Sequence, residues 1–214
     1  MKMSKGLFIS LEGIDGSGKT TLIQHLNRVL EGYPLVNIRE PGGTAISEKI
    51  REILLNVDNH QITPRTEAFL YAAARSQVVE QLIRPSLEQG KIVLADRYLD
   101  STIAYQGYGR GVDLEFLHTL NYLCTAGTLP DATILLDLEP ALGEARRHGK
   151  ADRLEKEGRE FQARVRQGYL QLARQEAERF HVIDASRAFD DVAHDAVEYL
   201  QKILVSRGWK PDAG

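Results

Sequence analysis

The stretch Phe8-Ile9-Ser10-Leu11-Glu12-Gly13-Ile14-Asp15-Gly16-Ser17-Gly18-Lys19-Thr20-Thr21-Leu22-Ile23-Gln24-His25-Leu26 decides how this chain is read. Its first four residues are an apolar run of strand length, and Thr21 to Leu26 continue with helical character. Between them, glycines at positions 13, 16 and 18 let successive backbone N–H groups curl into an anion nest at a helix N-terminus. Lys19 can reach terminal phosphates and the Thr20 hydroxyl can ligate magnesium. Strand, loop and helix in that order make a complete Walker A phosphate loop, so Gly13, Ile14, Asp15, Gly16, Ser17, Gly18, Lys19 and Thr20 are expected to hold ATP. A glycine-rich turn that only caps a helix would not need this context. Asp15 stands apart, because an acid inside a phosphate nest is electrostatically costly. Either it points away from the phosphates or it accepts a hydroxyl or a magnesium-bound water; a solvated loop carboxylate is the plainer alternative.

Outward from the loop, the apolar runs Leu35–Ile38, Ile92–Ala95, Thr133–Leu136 and His181–Ile183 alternate with long segments of helical period. That alternation predicts an α/β fold, a parallel sheet with helices on both faces. Two stripes, Ile46, Ile50, Ile53, Leu54 and Val57, then Phe69, Ala72, Ala73, Val79 and Leu82, read as core. Neither a repeat nor a linker divides the chain, so residues 1–214 are expected to form one domain, with a frayed tail over 207–214.

Bulk composition narrows the partners. The 214 residues are 43% apolar, enough for one sizeable core. With 27 basic against 30 acidic side chains, nothing global points to nucleic acid or to an anionic membrane. The lone Cys124 cannot close an intramolecular disulfide, and the apolar run after the N-terminus is too short for a signal or a membrane span. The reading is a soluble, cytoplasmic protein.

Asp96-Arg97-Tyr98 follows a buried-strand run, so an acid and a base emerge at the carboxyl edge of the sheet, where such folds bind ligands. Asp96 suits a place near magnesium, through water, and Arg97 offers a fixed fork to a phosphoryl group. Asp137, after Ile134-Leu135-Leu136, is a second candidate or merely ends its strand. Three further stretches predict a pocket for the acceptor. Arg39-Glu40-Pro41-Gly42-Gly43-Thr44 is a rigid turn feeding a helix. Glu67, Tyr71 and Arg75 recur every fourth residue, putting a carboxylate, a ring and a guanidinium on one helix face, which suits a nucleobase or is simply solvated. Ser101 with Tyr105 and Thr102 with Gln106 are further i, i+4 pairs. The basic stretch from Glu144 to Arg153 then reads as a lid over about 143–157 or as a charged surface; on a closing lid, arginines would neutralise the transferring phosphoryl and exclude water.

These residues, in order over about 7–205, resemble the thymidylate kinases of the P-loop nucleoside monophosphate kinase family, and Ala104-Tyr105-Gln106-Gly107 with Arg39-Glu40-Pro41-Gly42-Gly43 resembles them most specifically. The resemblance implies phosphorylation of dTMP to dTDP with ATP and Mg2+, five parallel strands in a three-layer sandwich, and a homodimer. It also implies that Tyr71 stacks on thymine where the family usually has Phe, that Arg75 and Gln106 address the base with Ser101 bordering it, and that Arg51 and Arg97 hold the acceptor phosphate. Asp15 would meet the sugar 3′-hydroxyl and Tyr105 the sugar face, with Arg39, Glu40 and a cis Pro41 beside them. Some members carry an arginine in the loop after the Asp. Gly16 stands there in this chain, as in the bacterial type, so the charge is expected from Arg146, Arg147 or Arg153. Lys19, Arg97, Asp96, Asp15 and these lid arginines are thus the candidates for the chemistry. A regulatory NTPase fits less well: the chain has no Asn/Thr-Lys-X-Asp signature and would leave the acceptor stretches without a purpose.

Overall fold

The computed structural model describes residues 6–147 and 152–209. Five strands, β1 (Leu7–Glu12), β2 (Leu35–Arg39), β3 (Ile92–Asp96), β4 (Ala132–Asp137) and β5 (Phe180–Asp184), pair in parallel in the order β2-β3-β1-β4-β5. Each expected apolar run is present as a strand. All five end on a charged residue, so the carboxyl edge of the sheet is a row of Glu12, Arg39, Asp96, Asp137 and Asp184. Asp137 therefore ends its strand, where Arg166 holds it.

Strand alternation sorts the core onto two faces. Phe8, Val93 and Ala95 meet Val78, Val79, Ile83 and Tyr98 on one side. Leu7, Ile9, Leu11, Ile92 and Leu94 join Leu22 and Leu26 of α1 (Lys19–Val29) on the other. The same larger core takes Phe161, Val165, Tyr169 and Leu172 of α8 (Gly158–Gln175), and Val192, Ala196 and Leu200 of α9 (Phe189–Ser206). With helices on both faces, the chain passes from β1 to the β2 side and from β3 across to β4. The topological switch thus falls between β1 and β3, where Leu11 lies opposite Asp96. In such sheets ligands bind in the crevice at this point.

The stripes on α2 (Ala45–Leu55) and α3 (Pro64–Val78) depart from expectation. Leu54, Ala72 and Val79 are buried, but Ile46 (50% exposed), Ile53 (45%), Phe69 (47%), Val57 and Ala73 face outward. The inner face of α2 is fixed instead by polar contacts: Thr44 caps the helix by accepting from Ser47 N–H, and the Ser47 hydroxyl donates to the Ala74 carbonyl at 2.8 Å. Such a cap is worth about 1 kcal/mol. Helical period alone does not say which neighbour covers an apolar face. Within the expected tail, Arg207 pairs with Asp131 and Trp209 packs beside Tyr33; residues 210–214 lie outside the described residues. No helix among the described residues is long and apolar enough to cross a membrane.

Candidate active site

The carboxyl edge opens into a cavity of about 630 Å³. Asp15, Gly16, Gly18, Lys19 and Thr20 form its donor side. Gly13, Ile14 and Ser17 lie behind them, where the Lys19 ammonium donates to the carbonyls of Gly13 (3.0 Å) and Ile14 (2.9 Å) and to Ser17 Oγ (3.3 Å). Burial, and then the Arg97 charge, press the Lys19 pKa down to about 8 against the opposing pull of Asp96, Asp15 and Glu12. Gly16 at φ 79° is required by a close approach: a Cβ there would sit 2.2 Å from the carbonyl oxygen of Gly143. That carbonyl belongs to α7 (Pro140–Arg146), so the phosphate loop and the base of the expected lid touch through two glycines.

Arg97 is the centre of the site. It leaves β3 with φ 70°, a left-handed conformation uncommon for a side-chain-bearing residue, held because its N–H donates to the Leu11 carbonyl at 2.9 Å. Its guanidinium donates through Nη1 to the Gly13 carbonyl (2.8 Å) and the Tyr169 hydroxyl (3.1 Å), and through Nη2 to Asp15 (2.6 Å) and the Tyr105 hydroxyl (3.0 Å). The fork thus clamps the phosphate loop to the acceptor side. Asp15 also accepts from Tyr105 and from Gln162 at 3.0 Å. Burial would raise its pKa, but Arg97 and Lys19 together outweigh that and hold the carboxyl below its ordinary value. The Asp15 carboxylate is thus turned toward Arg97, Tyr105 and Gln162.

The acceptor wall comes from four further segments. The Glu40–Pro41 bond is cis. Arg39, Glu40, Pro41 and Arg51 line the cavity, with Arg51 donating to the Pro41 carbonyl at 2.8 Å. Burial and the neighbouring Arg39 push the Arg51 pKa down, against the opposing pull of Glu48, which pairs with Arg39 at 3.1 Å. Tyr71 and Arg75 follow from α3. Arg75 is 2% exposed and donates to Glu40 (2.7 Å), Thr102 (2.7 Å), Asn121 (3.0 Å) and the Tyr98 carbonyl (3.0 Å). A guanidinium has five N–H donors, so one on Nη2 is spare. Removing either partner of the buried Arg75–Glu40 pair would cost about 3–5 kcal/mol. Beyond α5 (Leu99–Thr102), the chain winds as a π-helix over Ile103–Gly109, a form frequent at functional sites. The expected i, i+4 pairing therefore spans a wider turn, yet Ser101, Thr102, Tyr105 and Gln106 all reach the cavity.

The lid arginines separate. Arg146 lines the cavity and donates to the Ala185 carbonyl at 2.8 Å. Arg147 donates to the Glu155 carbonyl and Arg153 is buried, paired with Glu67 at 2.6 Å and bonded to the Leu54 carbonyl; neither lines the cavity. His148, Gly149, Lys150 and Ala151 lie outside the described residues. Four contributors escaped the sequence reading. Glu12, fully buried, accepts from Tyr98 N–H (2.7 Å), Ser101 Oγ (2.7 Å) and the Tyr169 hydroxyl (2.8 Å). Burial and the nearby Asp100 raise its pKa to about 7. Its signal was a charged residue closing a buried strand. Gln162 and Tyr169 sit on or beside the apolar stripe of α8 and carried no signal. Arg110 is ion-paired with Glu67 and Glu157, partners that lie far from it in sequence.

Comparison with known proteins agrees with this geometry. The family model described as thymidylate kinase matches residues 11–196. A thymidylate kinase of Pelotomaculum thermopropionicum is 50% identical over 206 residues, covering 94% of this chain and 95% of the relative. One from Symbiobacterium thermophilum is 47% identical over 204 residues, with 94% and 95% covered. A crystal structure of thymidylate kinase from Ehrlichia chaffeensis superposes with a TM-score of 0.76 at 34% identity, covering 92% of this chain and 98% of that one. On the strength of a phosphate loop, an acceptor wall and relatives that match nearly end to end, the chain belongs to the thymidylate kinase family.

Proposed function

We propose that this protein transfers the terminal phosphoryl group of ATP to dTMP, giving dTDP and ADP on the route to dTTP for DNA replication. The observation that carries the reading is one cavity joining the phosphate loop to a pocket whose unused groups are a spare Arg75 N–H and the Gln106 Oε1. A donor beside an acceptor complements O4 and N3–H of thymine. Tyr71 supplies the ring beside the base with Ser101 at its border, Tyr105 and Asp15 face the sugar, and Arg39, Arg51 and Arg97 receive the acceptor phosphate next to Glu40 and Pro41.

An ionised phosphate oxygen of dTMP is already a nucleophile, so catalysis rests on positioning and charge stabilisation. Lys19, Arg97 and Arg146 carry that charge in the proposed mechanism, while the loop N–H groups from Gly13 to Thr20 hold ATP. The residues suit Mg2+: the Thr20 hydroxyl and the Asp96 carboxylate both line the cavity, the latter acting through water, and a hard ion that keeps its waters and shares phosphate oxygens needs no all-protein cage. When bound, the ion would neutralise charge on the bridging phosphate oxygens. We further propose one kinase domain over 1–214 with a lid near 143–157, a cytoplasmic location, and a homodimer that covers Ile46, Ile53 and Phe69. A coupled assay of ADP release with dTMP, dUMP, dCMP, dGMP, dAMP and thymidine in turn tests the assignment. The expected result is clear preference for dTMP, and ATP hydrolysis indifferent to dTMP would overturn it.

A further inference from the structure

Glu67 is a fully buried carboxylate on α3 that the mechanism above does not use. Its oxygens accept from Gln106 Nε2 at 2.9 Å, from Arg110 Nε and Nη2 at 3.2 and 3.3 Å, and pair with Arg153 Nη1 at 2.6 Å. An ion-paired carboxylate offers only acceptors. The Gln106 amide is therefore turned one way, with Nε2 toward Glu67. Its carbonyl oxygen is left without a donor among the described residues, on a side chain that lines the cavity. The flipped amide would set oxygen against oxygen inside a buried network, which such networks do not tolerate. Arg110 and Arg153, from the far side of the site, hold the carboxylate in place.

We propose that Glu67 is a positioning residue that sets base selection: by fixing Gln106 with Oε1 facing the cavity, it makes the pocket demand an N–H at the base edge. The inference rests on the assignment of Gln106 to the base. Thymine and uracil present N3–H beside O4, whereas cytosine presents a bare N3 beside an amino group. A buried acceptor facing a bare N3 leaves both unpaired, and sites built on hydrogen bonds reject such mismatches strongly. Glu67 thus separates 4-oxo from 4-amino pyrimidines and is indifferent to the thymine methyl.

The test compares the wild-type chain with Glu67→Gln and Gln106→Leu in the ADP-release assay, using dTMP, dUMP and dCMP, with thermal melting alongside. In Glu67→Gln, Arg110 and Arg153 keep the amide oxygen on their side and its NH2 faces Gln106, so Gln106 is no longer held with Oε1 toward the cavity. The dTMP/dCMP ratio of kcat/KM should fall at least about tenfold, mainly through a higher KM for dTMP, with the dTMP/dUMP ratio unchanged. Equal losses on all three substrates would mean a structural role only and would overturn the proposal. If Glu67→Gln does not fold, Glu67→Asp keeps the charge for the two arginines while drawing back from Gln106, and the same ratio is read. A collapsed ratio in Gln106→Leu with wild-type ratios in both Glu67 variants sinks the Glu67 role alone. A wild-type ratio in Gln106→Leu removes the base assignment, and this inference with it.

Discussion

The phosphate loop and the acceptor wall meet at Arg97 but are built on opposite plans. The loop is eight consecutive residues whose ligands are backbone N–H groups and one lysine, with the glycines there for what they leave out, as Gly16 shows against Gly143. The wall draws on four separate segments, and its groups are side chains whose spare valences are rationed by buried partners: Arg75 by Glu40 and Gln106 by Glu67. A nest of amides recognises phosphate in any nucleotide; a rationed side chain recognises one arrangement of donors and acceptors. On the proposed assignment, selectivity therefore belongs to the wall.

Breaking the joint between the regions should have the largest effect. Arg97→Ala removes the fork that reaches Gly13, Asp15 and Tyr105 at once, and kcat is expected to fall about a thousandfold or more, as when an arginine is taken from other phosphoryl-transfer sites. The fold should persist, with a lowered melting temperature because Asp15 loses its ion-pair partner, so kcat is compared at a temperature where both proteins are folded. Near-normal turnover would show that the two regions work without this clamp.

A change of pH addresses the loop alone. Lys19, with its pKa pressed down to about 8 by burial and by Arg97, is protonated below that value and loses its charge above it. ATP affinity of the free protein, measured by calorimetry, should then weaken as pH rises through about 8, by up to about tenfold per unit beyond it. Once ATP is bound, its phosphates raise the lysine's pKa, so kcat at saturation should stay level to higher pH. Lys19→Arg removes the break, since a guanidinium does not titrate in this range. An affinity level to pH 9.5 would mean that the loop, like the wall, is held by groups of fixed charge.

The same division explains how much could be read in advance. The strands, the loop and Asp96-Arg97 are local patterns: a run, a turn chemistry, a strand end. The wall residues Tyr71, Arg75, Tyr105 and Gln106 were found through their period and a family resemblance, although nothing local said that Glu67 and Arg75 are buried. Gln162 and Tyr169 were invisible because their role depends on α8 crossing beside Arg97, a tertiary fact with no signature in a helix whose spacing reads as core. Arg153 misled for the converse reason. It sits in the densest basic stretch, but its partner, Glu67, lies far back in sequence, and a buried carboxylate claims a guanidinium more firmly than an open cavity does. The exposed stripes on α2 and α3 misled because helical period groups apolar side chains on one face without saying whether anything in the chain packs against it.

The smallest effect is expected where the wall adds a group that the network does not ration. Tyr71 is half-buried, and its hydroxyl has no hydrogen-bond partner among the described residues; burial and the nearby Glu67 raise its pKa, so the phenol stays neutral across the working range. Were it part of the donor and acceptor code, it would be tied down as Gln106 is. Tyr71→Phe removes only the oxygen and keeps the ring, whose stacking is a matter of area and shape. KM for dTMP should shift by no more than about twofold, since a group without a partner has little net hydrogen-bond energy to lose. A tenfold rise in KM would place the hydroxyl on the nucleotide, adding Tyr71 to the groups by which the wall selects.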